Sequence, residues 1–287
     1  MARKVIAVVT GSNRGIGAGI VAALAQTKHP KGALVIYATS RAGQKQEIPT
    51  QYDNEVRFAK LDISDKPGIK DFLRLIVKED RAEGGGGNGV EILINNAGIN
   101  LNRDETYESA EKTIDVNYRG VRDMCQLFLD AGNMKDNSSA RIVNVSSTGS
   151  KLGIHGKALQ ERFRSVQTVQ DVDALADEYL KLYKEQKLGD SDFGSGNISY
   201  QVSKACVNAL TNVLAKEYQE TGLLINCCCP GWVDTDMGKI VGQPSKSVEH
   251  GARIPVRLAI EDIDGVTGEY WSNDGVNDSG HGKVQRW

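Results

Sequence analysis

The sequence holds no stretch of eighteen consecutive apolar residues, so no membrane-crossing helix is expected from it. It also lacks any long run of Lys or Arg: 35 basic residues stand against 37 acidic ones, a net charge of −2. Without a broad positive face there is nothing to hold a phosphate backbone, and nucleic acid is not an expected partner. Cysteine is sparse. Its five positions are Cys125, Cys206 and the run Cys227, Cys228 and Cys229, with no C-x-x-C pair and no neighbouring histidine pattern. Neither disulfides nor a metal site is expected, and the triplet reads as small apolar filler in a buried strand. Near the start only Val5 to Val9 run apolar before Thr10 and Gly11, too short for a secretory core, which points to a cytoplasmic protein. What is present is balanced: 40% hydrophobic and 25% charged residues supply a sizeable core and argue against disorder.

Short β-branched runs alternate with helix-period runs from the first residues onward, the pattern of a parallel sheet with helical crossovers. Strands are expected at 4–9, 33–39, 56–59, 90–95, 141–146 and 223–229. Ile69, Phe72, Leu73, Ile76 and Val77 keep the spacing of one apolar helix face, as do Val121, Met124, Cys125, Phe128 and Leu129. A near-continuous apolar strand such as Val5 to Val9 suits a sheet covered on both sides. The expected fold class is therefore α/β, a doubly wound parallel sheet of Rossmann-like type, as a single domain over 1–287. Two stretches break the rhythm. The glycine-rich 83–89 precedes a strand rather than a helix, so it reads as a surface loop and not a phosphate cradle. The segment 151–197 carries Val172, Leu175, Ala176, Tyr179, Leu180 and Tyr183 at helical spacing and reads as an inserted helical subdomain.

The first strand runs directly into Thr10-Gly11-Ser12-Asn13-Arg14-Gly15-Ile16-Gly17, and a helical pattern of Ile16, Ile20, Ala23 and Leu24 begins inside it. A glycine-rich strand-to-helix turn gathers free N–H groups and the positive end of a helix, which suits the pyrophosphate of a dinucleotide. The spacing is G-x-x-x-G-x-G rather than G-x-G-x-x-G, and a purely structural turn is the competing reading. At the end of the second strand, Val35 to Ala42 offers no carboxylate for a ribose 2′-hydroxyl but does offer Arg41. Together with Arg14 it can flank a 2′-phosphate, so NADPH/NADP+ is the expected cofactor, against the alternative of two solvated arginines.

Tyr200 and Lys204 fall one turn apart on a helix whose apolar positions include Cys206, Leu210, Val213 and Leu214. An ammonium beside a phenol is expected to lower the tyrosine pKa and fit it for general acid–base work. Such a pair is common by chance and gains meaning from its company. Asn95-Asn96-Ala97-Gly98 closes the fourth strand, Asn117 lies early in the next helix, and Ser146-Ser147 closes the fifth strand. All stand at carboxyl ends of strands, where an open α/β sheet binds ligands. With the glycine turn and Pro230-Gly231-Trp232-Val233-Asp234-Thr235, the set resembles the short-chain dehydrogenase/reductase family over essentially the whole chain. It is most similar to the monomeric NADPH-dependent carbonyl reductases. In most members a short segment separates the catalytic serine from the tyrosine; here all of 148–199 intervenes, as in that branch. The run from Cys228 to Val233 and the terminal Val284-Gln285-Arg286-Trp287 share the likeness.

The resemblance implies Tyr200 as proton donor to the substrate oxygen, with Lys204 as its pKa modulator and a ligand of the nicotinamide ribose. It implies Ser147, with Ser146 as runner-up, to polarise the carbonyl, and Asn117 to hold a water in a proton relay. Gly11, Asn13, Arg14, Gly15, Ile16, Gly17 and Arg41 would hold the phosphates, with Asp62, Ile63 and Asn96 on the adenosine side. Pro230, Gly231, Val233 and Thr235 would follow the nicotinamide, Val233 and Thr235 at its carboxamide. Asp62 as a helix-flanking cap and Asn117 as a core polar group are the plainer alternatives. Trp232 and Met237 would shape the substrate pocket. The implied activity is NADPH-dependent reduction of an aldehyde, ketone or quinone to the alcohol or hydroquinone. The alternatives are an NADP-dependent alcohol dehydrogenase of a specialised pathway and a non-catalytic NADP(H)-sensing protein. A nucleotide-sugar epimerase uses the same Tyr and Lys spacing but needs more chain after Lys204. If 151–197 covers the helix face through which family members pair, the protein is expected to be monomeric.

Overall fold

In the computed structural model, which describes residues 4–83 and 89–287, β1 (Lys4–Thr10) is buried from Val5 onward. The reason is its place mid-sheet, parallel to β2 (Ala33–Ser40) on one side and β4 (Ile92–Asn95) on the other; Ala7 stands opposite both Ile36 and Ile92. Val5, Ala7 and Val9 point to one core and Ile6 and Val8 to another, so an unbroken apolar run serves two faces at once. The remaining strands are β3 (Glu55–Lys60), β5 (Arg141–Val145), β6 (Leu224–Cys228), β7 (Tyr270–Ser272) and β8 (Lys283–Gln285). The described residues form an eight-stranded sheet in the order β3-β2-β1-β4-β5-β6-β7-β8. All its pairings are parallel except β7 with β8. The chain winds outward to β3 and then returns past β1 to β4, so the connections diverge between β1 and β4 and leave a crevice above their carboxyl ends.

Helices α1 (Gly15–Ala25) and α8 (Val248–Ile260) cover the face formed by Val5, Ala7, Val9, Ile94 and Val143. Helices α2 (Lys66–Ala82), α4 (Val121–Asp130) and α7 (Ser199–Glu217) cover the other, which carries Ile6, Val8, Leu93, Ile142 and Ile225. Helix α3 (Tyr107–Ile114) runs into α4 through a wider π turn, Asp115–Gly120.

Between β5 and α7 stand α5 (Lys157–Ser165) and α6 (Val169–Lys184). A reciprocal capping box between Thr168 and Asp171 starts α6. Val172, Leu175, Ala176 and Tyr179 then enter the same core as Val202, Cys206 and Leu210 of α7. Tyr183, the last of the expected stripe, is only half-buried.

The expected strand at 90–95 begins two residues late, at Ile92. Strands β7 and β8 escape the sequence pattern. Each has three residues among polar and glycine-rich neighbours, and their extended form comes from pairing, Cys228 with Trp271 and Trp271 with Val284. All five cysteines are free and buried, with Cys227 and Cys228 inside β6. The run 84–88 lies outside the described residues. Among the described residues no helix is long and apolar enough to cross a membrane.

Candidate active site

The glycine turn is held by the end of β4. Thr10 Oγ1 accepts from the backbone N–H groups of Asn96 and Ala97, both at 3.0 Å. The Asn96 side-chain amide donates to the carbonyls of Thr10 and Gly11 at 2.9 and 3.1 Å. Asn96 thus braces the turn from beneath. Gly17 must be glycine for this closure, because a Cβ there would stand 2.3 Å from Gly11 O and 2.5 Å from Asn96 Nδ2. Helix α1 opens with no side-chain cap and no acid in its first turn. Its orphan N–H groups and positive end are left for an anion.

Asn13 is exposed, and its carbonyl accepts from Gln46 Nε2 at 2.7 Å. Thr235, from the loop after β6, comes up against the turn: its Cγ2 lies 3.0 Å from where a Cβ on Gly15 would be. Beside it, exposed Arg14 pairs with Asp236 at 2.7 Å. Arg41 is exposed just past β2, and its charge reaches Asp62. Burial pushes the Asp62 carboxyl up, but the Ser64 donors and Arg41 outweigh it and hold the group below the usual carboxylate value. Asp62 Oδ1 takes the Ser64 N–H and hydroxyl at 3.0 and 2.6 Å, a turn-capping arrangement, while Ile63 is buried.

Past β5 the two serines part company. Ser146 is buried, its hydroxyl directed at the Lys204 carbonyl at 3.4 Å. Ser147 is half-buried beside Tyr200, a Cβ on Gly149 standing 3.4 Å from Ser147 Oγ and 3.8 Å from Tyr200 Cε1, and its Oγ accepts from Gly149 N at 3.0 Å. Lys204 is buried, donates to Val145 O at 2.8 Å and holds its Nζ 5.9 Å from the centre of the Tyr200 ring. Helix α7 places both residues, because an i, i+4 pair lies on one face.

One expectation is corrected here. The ammonium was to lower the tyrosine pKa, yet burial dominates and pushes Tyr200 up to about 12, with the Ser147 hydrogen bond pulling the other way. Burial also brings Lys204 down to about 8. The ammonium donates to the Val145 carbonyl, its Nζ 5.9 Å from the centre of the phenol ring, and the phenol's loss of water is the larger effect.

Asn117 lies in the π turn and is fully buried. Its Oδ1 accepts from Ile99 N and its Nδ2 donates to Ile99 O, both at 2.8 Å, with Ser203 Oγ at 3.0 Å as a further acceptor. The side chain therefore fixes the exit from β4. Gly98 lies between Asn117 and Lys204: a Cβ there would be 3.2 Å from Asn117 Oδ1 and 3.5 Å from Lys204 Nζ.

In the loop after β6, Gly231 N donates to Cys229 Sγ at 3.3 Å beside buried Pro230. Trp232 is anchored through Nε1 to Gly238 O at 2.9 Å, and buried Val233 bridges to Lys246. Met237 is half-buried in the same loop.

Sequence reasoning missed Asn102, Glu105 and Ser199, which hold the first turn of α7. It also missed the buried chain from Asn95 Nδ2 to Asn144 Oδ1 and from Asn144 Nδ2 to Thr211 Oγ1, each 2.9 Å, behind the site. Their partners are far apart in the chain and leave no local spacing to read.

The family model described as short chain dehydrogenase matches residues 5–159 and 191–245, passing over all of α6 and most of α5. Carbonyl reductase [NADPH] 1 of Mus musculus is 32% identical, covering 98% of each chain. Short-chain dehydrogenase/reductase 1 of Saponaria officinalis is 30% identical, covering 96% of each. The solved structure of salutaridine reductase from Papaver somniferum superposes with a TM-score of 0.72 at 26% identity, over 93% of this chain and 99% of that one. With the glycine turn, the crevice and the Ser147, Tyr200 and Lys204 group already in place, these likenesses settle the kinship: the chain belongs to the short chain dehydrogenase family.

Proposed function

We propose that this oxidoreductase uses NADPH to reduce an aldehyde, ketone or quinone to the alcohol or hydroquinone. The observation that carries the reading is the meeting of Ser147, Tyr200 and Lys204 at the carboxyl ends of the strands, beside an uncapped helix start. NADPH supplies the hydride when bound. The residues present fit it: the first turn of α1 offers free N–H groups, and the rim beyond β2 carries Arg41 where an NAD-preferring site would carry a carboxylate. Arg14 in the glycine turn would join Arg41 at the 2′-phosphate, and Thr235, against Gly15, begins the wall that Val233 and Gly231 continue.

Tyr200, held up at about 12, is protonated at neutral pH and is an acid ready to give its proton to the substrate oxygen. Ser147 steadies that phenol and donates to the same oxygen as negative charge builds on it, where a fixed donor helps most. Lys204, beneath the phenol, supplies positive charge to the tyrosinate left behind. Asn117 keeps Gly98 and Ile99 in place on the substrate side. Trp232 and Met237 border the pocket, where substrate choice resides.

The reading extends to the whole chain as one domain, with 151–197 as an inserted helical unit. Helix α6 lies on α7 and withdraws that face from self-association, which supports a monomer. Five free, buried cysteines suit the reducing cytoplasm. A panel of quinones, aldehydes and ketones, assayed by oxidation of NADPH and of NADH, tests the proposal. Turnover with NADPH in preference to NADH is expected; no turnover, or a preference for NADH, overturns it.

A further inference from the structure

The helix that carries Tyr200 does not cap itself. Ile198 occupies the cap position of α7 and makes no side-chain bond to the helix. Yet the first N–H groups of a helix need acceptors, and negative charge there is favourable. Both acceptors come from the segment after β4. Glu105 Oε2 accepts from Ser199 N at 3.2 Å and also from the Ser199 hydroxyl. Asn102 Oδ1 accepts from Tyr200 N and from Ser199 Oγ, each at 3.1 Å. Asn102 Nδ2 binds both Asn197 O and Gln201 Oε1 at 2.6 Å, and Asn197 Nδ2 returns a bond to Asn102 O at 2.8 Å.

The clamp is itself held by α6. The Tyr179 hydroxyl donates to Glu105 Oε1 at 3.2 Å, and the Tyr183 hydroxyl donates to Glu105 O at 3.1 Å. Ser199 is fully buried, so water cannot replace these acceptors at the helix start. We propose that Glu105 and Asn102 are positioning residues that fix the Tyr200 phenol for proton transfer, and that α6 sets their position through Tyr179 and Tyr183. The inserted helix thereby becomes part of the catalytic machinery without touching substrate.

This rests on Tyr200 being the proton donor, so Tyr200→Phe is measured beside Glu105→Ala, Glu105→Gln and Ser199→Ala. For each, NADPH affinity and stoichiometry report the folded fraction, and kcat and KM for one carbonyl substrate report positioning. Glu105→Ala and Ser199→Ala are expected to lose roughly tenfold to a hundredfold in kcat, the scale of a small misplacement of a reacting group, with NADPH affinity unchanged. Glu105→Gln, which keeps an acceptor at the helix start, should recover most of the loss. If Glu105→Ala binds NADPH normally and turns over like the wild type, the inference is overturned; should that variant not fold, unchanged kcat in Ser199→Ala overturns it instead. A kcat loss matched by lost cofactor binding counts as a structural role and also overturns it. Persistent activity in Tyr200→Phe brings down the functional reading itself, a different failure from wild-type kcat in the clamp variants beside an inert Tyr200→Phe.

Discussion

The Arg14 guanidinium lies 2.7 Å from the Asp236 carboxylate, an ion pair joining the glycine turn to the loop after β6. Both side chains are largely exposed, so the pair contributes little by itself, and it occupies the arginine proposed to meet a 2′-phosphate. Asp236→Asn is therefore expected to tighten NADPH by up to about fivefold, the upper limit for such a pair, and to leave NADH unchanged. Fluorescence titration with both cofactors decides it; equal effects on the two would show that Arg14 does not meet the phosphate.

Arg41→Ala is the complementary case. Losing a charge-assisted contact is expected to cost roughly 1.5–3 kcal/mol of NADPH affinity and to spare NADH. Parallel losses for both cofactors would place Arg41 in support of the rim and its neighbour Asp62.

Tyr200→Phe removes one hydroxyl and preserves the ring. Turnover is expected to fall roughly a hundredfold to ten-thousandfold while NADPH binding persists. Retained turnover at near the wild-type rate would falsify the assignment of the proton donor.

Lys204 carries a pH signature. Burial brings it from the ordinary 10.5 to about 8, so the folded protein gives up this proton before the unfolded chain does. Below about 8 both states are charged and the buried ammonium exerts its full penalty; from there to 10.5 the penalty fades. The stability of the wild type relative to Lys204→Met should therefore rise with pH across that window. Urea melts of both proteins on either side of it measure the difference, and a flat or falling trend would contradict the burial.

Leu175, 3% exposed on α6, lies in the core that α6 shares with α7. Leu175→Ala is expected to cost about 2–5 kcal/mol, seen as a lower midpoint in denaturant. Light scattering of the wild type at micromolar concentration should give the mass of one chain. A stable dimer formed through α7 would mean that α6 leaves that face free.

The inner strands and both crossover helices were legible because burial on two faces imprints itself on sequence. Val5 to Val9 can be apolar throughout only where helices cover both sides, and Ile69 to Val77 shows the stripe of a helix with one dry face. Strands β7 and β8 left no such imprint, since their form follows from neighbours across the sheet. The site was half legible. Spacing announces Tyr200 and Lys204, but Glu105 meets Ser199 across 94 positions and Arg14 meets Asp236 across 222. The tyrosine pKa departs from its expected direction for a related reason: a sequence shows the ammonium nearby and conceals the loss of water around both groups.

The two rims of the sheet are finished with charge. At one, β3 lays Arg57 across a net of Glu55, Glu79 and Glu83, with Lys60 at the strand end. At the other, the three-residue β8 carries Lys283, paired with Asp274. A strand from a neighbouring molecule joining either rim would have to strip water from these ions and displace their partners. Open-ended edge-to-edge growth of one sheet onto the next is thereby opposed at each border by the cost of stripping those ions.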